Sequence, residues 1–217
     1  MIVAIIQARM GSTRLPGKVL KDIGGRTMLA RVVRRVRRAT ILHRIVVATT
    51  VESADDAIVA ECKRLAAPVF RGSEQDVLDR YYWAAKMYEA DTIVRITADC
   101  PLIDPEIIDR VVQAFLDKKP DYASNTLVRT YPRGLDTEVM SWVALARTWV
   151  ESPSREHVTS YIYENSSSFR LHIVIAGEWD YSHHRWTVDT QEDLDNVRAI
   201  YARFNNEDTF GWRDALL

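Results

Sequence analysis

The sequence predicts a doubly wound α/β domain, in which a mostly parallel sheet lies between two layers of helices. Short apolar runs typical of buried strands alternate with longer stretches of helical periodicity. The alternation repeats four times before Pro120, as expected for a parallel sheet built from strand–helix units. The chain has 217 residues, 47% of them hydrophobic, so a single domain spanning 1–217 can bury a large core.

The first half of the chain supplies the four strand–helix units. A first buried strand is predicted at 2–6, and it is followed by a long loop because residues 9–25 hold four of the eight glycines. Ser53 is the expected N-cap of the second helix, and Asp104, followed by a proline, that of the fourth. The other predicted strands are 45–49, 69–70 and 92–97, and the predicted helices are 27–38, 53–66, 77–88 and 105–116.

After Pro120 the regular alternation of predicted strands and helices ends. Residues 121–141 contain a proline, a glycine and two short strand-like pieces, which predicts an inserted hairpin or arm forming a small lobe. A last helix is expected to reach Phe204, with Thr190 as its N-cap and Asp193 completing a capping box. The remaining predicted elements are helices at 142–151 and 155–164 and strands at 171–175 and 185–188.

Composition excludes several classes of protein. The 29 lysines and arginines balance 30 acidic residues, a net charge of −1, which argues against a nucleic-acid partner bound by bulk charge. No apolar run approaches the roughly 20 residues that cross a bilayer, and the amino terminus lacks signal-peptide features. The chain has only two cysteines, Cys62 and Cys100, which are far apart, and this argues against a disulfide scaffold or a zinc ribbon. We therefore expect a cytoplasmic protein without a membrane partner.

The loop after the first strand has the composition of a phosphate-binding loop. In open α/β sheets, ligands bind beyond the carboxyl ends of the strands, where this loop lies. Two glycines permit close backbone approach, two hydroxyls offer hydrogen bonds and three cations offset phosphate charge: Gly11, Gly17, Ser12, Thr13, Arg9, Arg14 and Lys18. The spacing matches neither a Walker loop nor the dinucleotide fingerprint. The alternative is a basic surface loop with turn glycines.

Residues 5–18 (IIQARMGSTRLPGK) are very similar to the opening motif of the sugar-acid cytidylyltransferases. The pieces at 70–78, 97–104, 131–136, 155–158 and 186–190 resemble the spore-coat-polysaccharide-type branch of that family. The resemblance implies a Rossmann-like, three-layer nucleotidyltransferase fold. It also implies a magnesium-dependent enzyme, acting as a homodimer, that joins CTP and an acidic sugar to give a CMP-sugar and pyrophosphate for surface polysaccharide synthesis.

The resemblance also assigns roles to individual residues. Ala8 and Arg9 would lie against the base, and Arg71 would help to bind the base and ribose. Asp99 and Asp189 would hold the metal. The phosphates would be bound by Gly11, Ser12, Arg14 and Lys18, of which Arg14 and Lys18 would act in catalysis together with the two aspartates. The sequence departs from the family at Gln7 and Gln191, where proline is usual.

The two aspartates also fit the chemistry by their positions. Each follows a predicted strand, so Asp99 and Asp189 can meet at one edge of the sheet, where carboxylates suit magnesium. Asp104 is interpreted as a structural N-cap. The candidate sugar contacts are less specific, since they also fit a solvated hairpin at a dimer contact or, for the histidine, a packed or capping residue: Arg129, Arg133, Asp136, Glu138 and His157.

Two other functions compete with this interpretation. A nucleotide-sugar-dependent glycosyltransferase on a related fold typically has Asp-x-Asp at the end of a central strand, where this chain has Asp99-Cys100-Pro101. The Asp193–Asp195 pair has that spacing but falls inside the predicted last helix. A non-catalytic nucleotide-binding protein could keep the loop without turnover, although retention of Lys18 and both aspartates argues against it.

Overall fold

A seven-stranded mixed sheet lies at the centre of the fold. The computed structural model describes residues 1–217. The strands of the sheet are β1 (Ile2–Gln7), β4 (Arg44–Thr50), β5 (Val69–Gly72), β6 (Thr92–Thr97), β7 (Tyr122–Ser124), β8 (Glu138–Ser141) and β9 (Leu171–Ile173). Their order in the sheet is β5-β4-β1-β6-β8-β7-β9. A separate two-stranded hairpin, β2 (Asp22–Ile23) and β3 (Arg26–Thr27), turns through two glycines with positive φ. Part of the predicted long loop 9–25 is therefore regular structure.

The sheet is parallel apart from one strand. β1 pairs in parallel with β4 and β6, β4 with β5, and β7 with β9, whereas β8 runs antiparallel to both β6 and β7. Residues 121–141 thus contribute two strands to the central sheet, and only the loop 125–137 between them lies outside it. Of the predicted inserted hairpin or arm, the antiparallel pairing of β7 with β8 is present. The pair is nevertheless part of the central sheet, because β8 also pairs with β6 some 45 residues earlier, which local pattern cannot reveal.

Helices cover both faces, as predicted. They are α1 (Met28–Val36), α2 (Asp56–Arg64), α3 (Val77–Met87), α4 (Pro105–Lys118), α5 (Trp142–Glu151), α6 (Ser160–Glu164) and α7 (Gln191–Arg203). The α1, α2, α4 and α7 helices pack on one face of the sheet, and α3, α5 and α6 pack on the other. Alternate residues of β1 serve the two cores, with Ala4 and Ile6 in the first and Val3 and Ile5 in the second.

The predicted caps of α4 and α7 are confirmed. Asp104 accepts a hydrogen bond from the Glu106 amide, and Thr190 and Asp193 form the capping box of α7. Ser53, in contrast, opens a short 3-10 turn and caps no helix with its side chain. The carboxylate of Asp55, the last residue of this turn, accepts a hydrogen bond from the Thr50 amide at the end of β4, as described below.

Two predicted elements differ because tertiary contacts replace their regular hydrogen bonds. Of 155–164 only α6 is helical, since the carbonyl of Arg155 accepts from the Leu78 amide at the start of α3. Residues 185–188 form no strand, although Trp186 and Val188 are buried in strand-like alternation. The Trp186 amide donates to the Arg133 carbonyl and the Val188 amide to the Asp99 carbonyl, so this extended segment joins two loops. No helix of the chain combines the length and apolarity that crossing a membrane requires.

Candidate active site

The β1–α1 loop is folded back on itself at the carboxyl end of the sheet. The amides of Ser12 and Gly17 both donate to the Met10 carbonyl, at 2.8 and 3.2 Å. Gly17 has a φ of +67°, a left-handed conformation that favours glycine, and it leads directly into a short 3-10 turn containing Lys18. The loop glycine thus turns the chain so that Lys18 lies over the ends of the central strands.

Asp55 anchors this loop to the end of β4. Its carboxylate, 2% exposed as a residue, accepts hydrogen bonds from the Met10 amide at 2.7 Å and the Thr49 hydroxyl at 2.9 Å. It also accepts from the amide and the hydroxyl of Thr50, at 3.1 and 2.6 Å. Burial alone would raise the pKa of Asp55, but these hydrogen bonds outweigh it and lower the pKa below the usual value. The carboxylate therefore stays ionised and fixes the backbone of the loop.

A cleft of about 290 Å³ opens between this loop and the end of β6. Six of the seven predicted nucleotide contacts line it together with both predicted metal ligands: Ala8, Arg9, Gly11, Ser12, Arg14, Lys18, Asp99 and Asp189. The other lining residues are Gln7, Thr13, Val19, Thr97 and Ala98. Three cations and a set of loop amides and hydroxyls thus face two carboxylates across a small polar cleft, an arrangement that suits a polyphosphate.

Lys18 joins the two aspartates at the centre of the cleft. Its ammonium donates to Asp99 Oδ2 at 3.0 Å, to Asp189 Oδ1 at 2.9 Å and to the Val188 carbonyl at 2.8 Å. Burial alone would lower the pKa of Lys18, but the two carboxylates outweigh it and raise the pKa. The predicted convergence of Asp99 and Asp189 is therefore present, even though the segment before Asp189 is extended loop and not a strand.

Asp189 has further cationic partners. Arg14 lies 2.9 Å from Oδ1, and Arg185 donates to Oδ2 at 2.5 Å. Burial would raise the pKa of Asp189, but Lys18, Arg14 and Arg185 together lower it. No group of three or more histidine, cysteine, aspartate or glutamate side chains is arranged to hold a metal, so any ion here would rely on the aspartate pair and on ligand oxygens.

Arg71 lies at the end of β5, outside the lining of the cleft. Its guanidinium donates to the carbonyls of Thr50 and Glu52, at 2.8 and 2.9 Å, and to Asp56 Oδ1 at 2.6 Å. Arg71 thus binds the β4–α2 loop, which also carries Asp55. In this structure Arg71 therefore supports the β4–α2 loop, which lies next to the nucleotide loop.

A second cavity, of about 460 Å³, adjoins the cleft. Thr97 and Asp99 line both spaces, so the two meet at the end of β6. The remaining lining residues come from the sheet, from the loops 98–104, 125–137 and 185–189 and from α6: Arg95, Cys100, Thr126, Leu127, Arg129, Asp136, Glu138, Tyr163 and Thr187. A molecule in the second cavity would therefore lie beside the carboxylate that contacts Lys18.

Both guanidinium groups of the second cavity have carboxylate partners. Arg129 binds Asp136 through two hydrogen bonds, at 2.6 and 2.9 Å. Arg95 is paired with Glu138 across the β6–β8 ladder. Glu138 also accepts from Tyr122 at 2.9 Å and from Thr159 at 3.2 Å, which fixes its position.

The structure separates the predicted sugar contacts into two groups. Arg129, Asp136 and Glu138 line the second cavity. Arg133 does not line this cavity. Its backbone is hydrogen-bonded to the 185–188 segment, and its side chain is exposed. His157 is also exposed and outside the cavity, in the non-helical stretch before α6.

Sequence reasoning missed several residues of this region. Gln7 was noted only as a departure from proline, yet it lines the cleft, and its Oε1 is buried without a hydrogen-bond partner. Asp55 falls near the start of the predicted helix 53–66 and Arg95 inside the predicted strand 92–97, positions that single out neither residue as part of a site. The signal for Arg95 was a cation within an otherwise apolar central strand, which requires a buried partner or a ligand.

Comparison with known proteins shows the family to which the chain belongs. Residues 3–209 match the family model described as cytidylyltransferase. The chain belongs to the cytidylyltransferase family. It is 44% identical over 208 residues to an uncharacterised protein of Methanocaldococcus jannaschii, covering 94% of this chain and 84% of that protein.

Two further relatives carry functional names. A spore coat polysaccharide biosynthesis protein of Bacillus subtilis, SpsF, is 37% identical, with 93% of this chain and 87% of the relative covered. A 3-deoxy-manno-octulosonate cytidylyltransferase of a Chelativorans strain is 29% identical, with 92% of this chain and 84% of the relative covered.

Solved structures agree with the fold. A cytidylyltransferase from Leptospira borgpetersenii superposes with a TM-score of 0.95 at 36% identity, covering 99% of this chain and 92% of that one. A CMP:2-keto-3-deoxy-manno-octonic acid synthetase complexed with CTP superposes with a TM-score of 0.69 at 21% identity, covering 94% and 99%. At that identity the second likeness bears on the fold alone.

Proposed function

We propose that this protein transfers the cytidylyl group of CTP to a hydroxyl of an acidic sugar and releases pyrophosphate, in the cytoplasm and for the synthesis of a surface polysaccharide. The family is that of cytidylyltransferases, and relatives that span most of the chain are named for octulosonate activation and for spore coat polysaccharide. The observation that carries the proposal is the junction of two cavities at Thr97 and Asp99. A donor nucleotide in the cleft and an acceptor in the second cavity would meet there.

Different residues of the cleft would bind different parts of CTP. The loop amides and the Ser12 hydroxyl would donate to the phosphates, while Arg14 and Lys18 would offset their charge. The oxygen of the acceptor hydroxyl would attack the α-phosphorus and release its proton to solvent, and the bond from that phosphorus to the pyrophosphate oxygen would break as the new bond forms. Lys18 would stabilise the negative charge that collects on the leaving pyrophosphate. Ala8 and Arg9, at the start of the loop, would contact the base.

The proposal includes magnesium, held by Asp99 and Asp189. The residues fit this ion because the two carboxylates lie at one point of the cleft, both in contact with the Lys18 ammonium, and a hard cation prefers oxygen ligands. The triphosphate would supply most of its other ligands. When bound, the ion would polarise phosphate oxygens and offset charge at the transferring phosphorus.

The second cavity would hold the acceptor. Its two ion pairs, Arg129 with Asp136 and Arg95 with Glu138, present fixed hydrogen-bond donors and acceptors to a molecule rich in hydroxyls. The family resemblance further supports a homodimer, which sedimentation analysis would test. The glycosyltransferase alternative gains no support, because Asp193 of the Asp-x-Asp pair is engaged in the capping box of α7.

Pyrophosphate release provides the test. Each of the four nucleoside triphosphates is incubated with Mg²⁺ and with a panel of acidic sugars, and the products are identified by mass. We expect release with CTP in the presence of at least one acidic sugar, with a CMP-sugar as the second product. Release with another nucleotide alone, or with neutral sugars only, would contradict the proposal. An Asp99→Asn variant with an unchanged melting temperature controls for a contaminating activity.

A further inference from the structure

The second cavity offers three carboxylates that could receive the proton of an attacking hydroxyl: Asp99, Asp136 and Glu138. Asp99 is bound by the Lys18 ammonium, and the proposed function assigns it to the metal. The side chain of Glu138 is only 9% exposed, and both of its oxygens already accept hydrogen bonds from neighbouring side chains. Asp136, at 31% exposed, is therefore the carboxylate that a molecule in the cavity can reach most directly.

The backbone around Asp136 is fixed by one buried side chain, that of Asn125. Its Nδ2 donates to the Leu135 carbonyl at 2.8 Å, and its Oδ1 accepts from the Thr137 amide at 2.9 Å. The Asn125 amide group thus holds the chain immediately before and immediately after Asp136. A carboxylate on such a support keeps its place at the wall of the cavity, as a group that takes part in chemistry requires.

Arg129 fixes the orientation of the Asp136 carboxylate. Its guanidinium donates one hydrogen bond to each carboxylate oxygen, at 2.6 and 2.9 Å. Because each oxygen has two lone pairs, each can still accept from a further donor such as a hydroxyl. A carboxylate is sufficient for this task, since phosphoryl transfer passes through a loose transition state and an aspartate accepts the hydroxyl proton in protein kinases.

We propose that Asp136 accepts the proton of the acceptor hydroxyl during cytidylyl transfer, with Asn125 and Arg129 as its positioning residues. The proposal rests on the proposed function and names a further catalytic residue for it. The hydroxyl oxygen forms its bond to the α-phosphorus while the bond from that phosphorus to the pyrophosphate oxygen breaks. The hydroxyl proton moves to a carboxylate oxygen of Asp136, which then passes it to solvent.

The pH dependence of turnover can identify the proton acceptor, because no histidine lines the cavity. Burial raises the pKa of the Cys100 thiol well above its usual value, and it also raises the pKa of the Tyr163 phenol. Neither group therefore ionises near neutral pH. The charged side chains that line the cavity beside Asp136 are carboxylates and guanidiniums, types that ordinarily keep their charge in this range: Arg95, Asp99, Arg129 and Glu138.

Asp136→Asn keeps the shape of the side chain but cannot accept a proton. We expect its kcat to fall by about 10²- to 10⁴-fold, the usual contribution of a general base, with the KM for CTP unchanged within about twofold. Asp136→Glu, which restores a carboxylate, should recover part of the loss. Asp121→Asn is the matched control, because Asp121 also accepts two hydrogen bonds from one guanidinium, that of Arg170, but lines neither cavity. Its kcat should equal that of wild type.

The pH profile separates a proton acceptor from a structural residue. Wild-type kcat should be nearly constant between about pH 6.5 and 8.5, whereas in Asp136→Asn the proton must leave to hydroxide and kcat should rise by up to about tenfold per pH unit. The proposal is overturned if a folded Asp136→Asn keeps more than about a tenth of wild-type kcat, or if its loss is the same at every pH. If the variant does not fold, the wild-type profile decides, and a rise of about tenfold per pH unit overturns the proposal. Failure of the wild type to transfer a cytidylyl group to any acidic sugar would instead contradict the proposed function.

Discussion

Replacing Asp55 with alanine is expected to destabilise the protein and weaken CTP binding together, although Asp55 does not line the cleft. Its buried carboxylate accepts four hydrogen bonds, one of them from the Met10 amide in the nucleotide loop and another from the Thr50 amide at the end of β4. The substitution leaves these donors without their acceptor and releases the loop from the sheet.

The magnitude follows from those contacts. A hydrogen bond to a charged acceptor contributes about 1.5–3 kcal/mol. The two threonine hydroxyls can rotate to other acceptors, but the two main-chain donors cannot. We therefore expect Asp55→Ala to lower the free energy of unfolding by about 3 kcal/mol or more, and Asp55→Asn, which keeps one acceptor oxygen, to lower it by roughly half as much.

Urea unfolding measures this loss, and calorimetry measures CTP affinity. The matched control is Asp56→Asn, since that neighbouring carboxylate is 65% exposed and makes one ion pair, with Arg71. A surface pair of this kind contributes at most about 1 kcal/mol. Equal losses for Asp55→Asn and Asp56→Asn, or a loss below about 1 kcal/mol for Asp55→Ala, would refute the reasoning.

The lowered pKa of Asp55 also predicts how the free energy of unfolding depends on pH. Because hydrogen bonding lowers the pKa in the folded state, the carboxylate stabilises the fold above its unfolded pKa, about 3.9. This stabilisation is lost as the pH falls through the lower, folded value. The unfolding free energy of wild type should therefore decline more steeply below about pH 4 than that of Asp55→Asn.

Five other substitutions test the site and the loop beside it. Asp99→Asn and Asp189→Asn should each reduce turnover by about 10²-fold, or about 2.7 kcal/mol of transition-state stabilisation, and the double variant should lose much less than the product of the two if both act on one ion. Arg129→Ala should raise the Michaelis constant for the acceptor and leave that for CTP within about twofold, while Arg133→Ala should change neither in steady-state kinetics. Gly134→Ala should lower the melting temperature and cost about 2 kcal/mol or more, because its φ is +107° and the added Cβ would lie 2.8 Å from a backbone carbon.

The sequence predicted the parts of the site that local pattern controls. An apolar run followed by glycines, hydroxyls and three cations predicted the nucleotide loop, because the carboxyl end of a central strand fixes where such a loop opens. Asp99 was predictable for the same reason. Its meeting with Asp189 was predicted from a strand at 185–188 that does not exist, and it is achieved through the hydrogen bond of Val188 to Asp99.

The parts of the fold and of the site that the sequence did not predict depend on pairing between residues far apart in the chain. The antiparallel β6–β8 pairing makes β8 part of the central sheet and places Glu138 opposite Arg95. Asp55 looks like an ordinary helix-start charge until the neighbouring loop is folded onto it. The exclusion of Arg133 from the second cavity likewise depends on how the loop 125–137 returns to the sheet, which residue type and spacing do not specify.

The fate of the phosphorus atoms tests the central claim most directly. CTP labelled at the α-phosphorus and CTP labelled at the γ-phosphorus are turned over separately with Mg²⁺ and the acidic sugar that supports pyrophosphate release. We expect the α-label in the sugar product and the γ-label in pyrophosphate, with both transfers abolished in Asp99→Asn. Appearance of the γ-label in the sugar, or no label in the sugar from either nucleotide while the free nucleotide is hydrolysed, would contradict cytidylyl transfer.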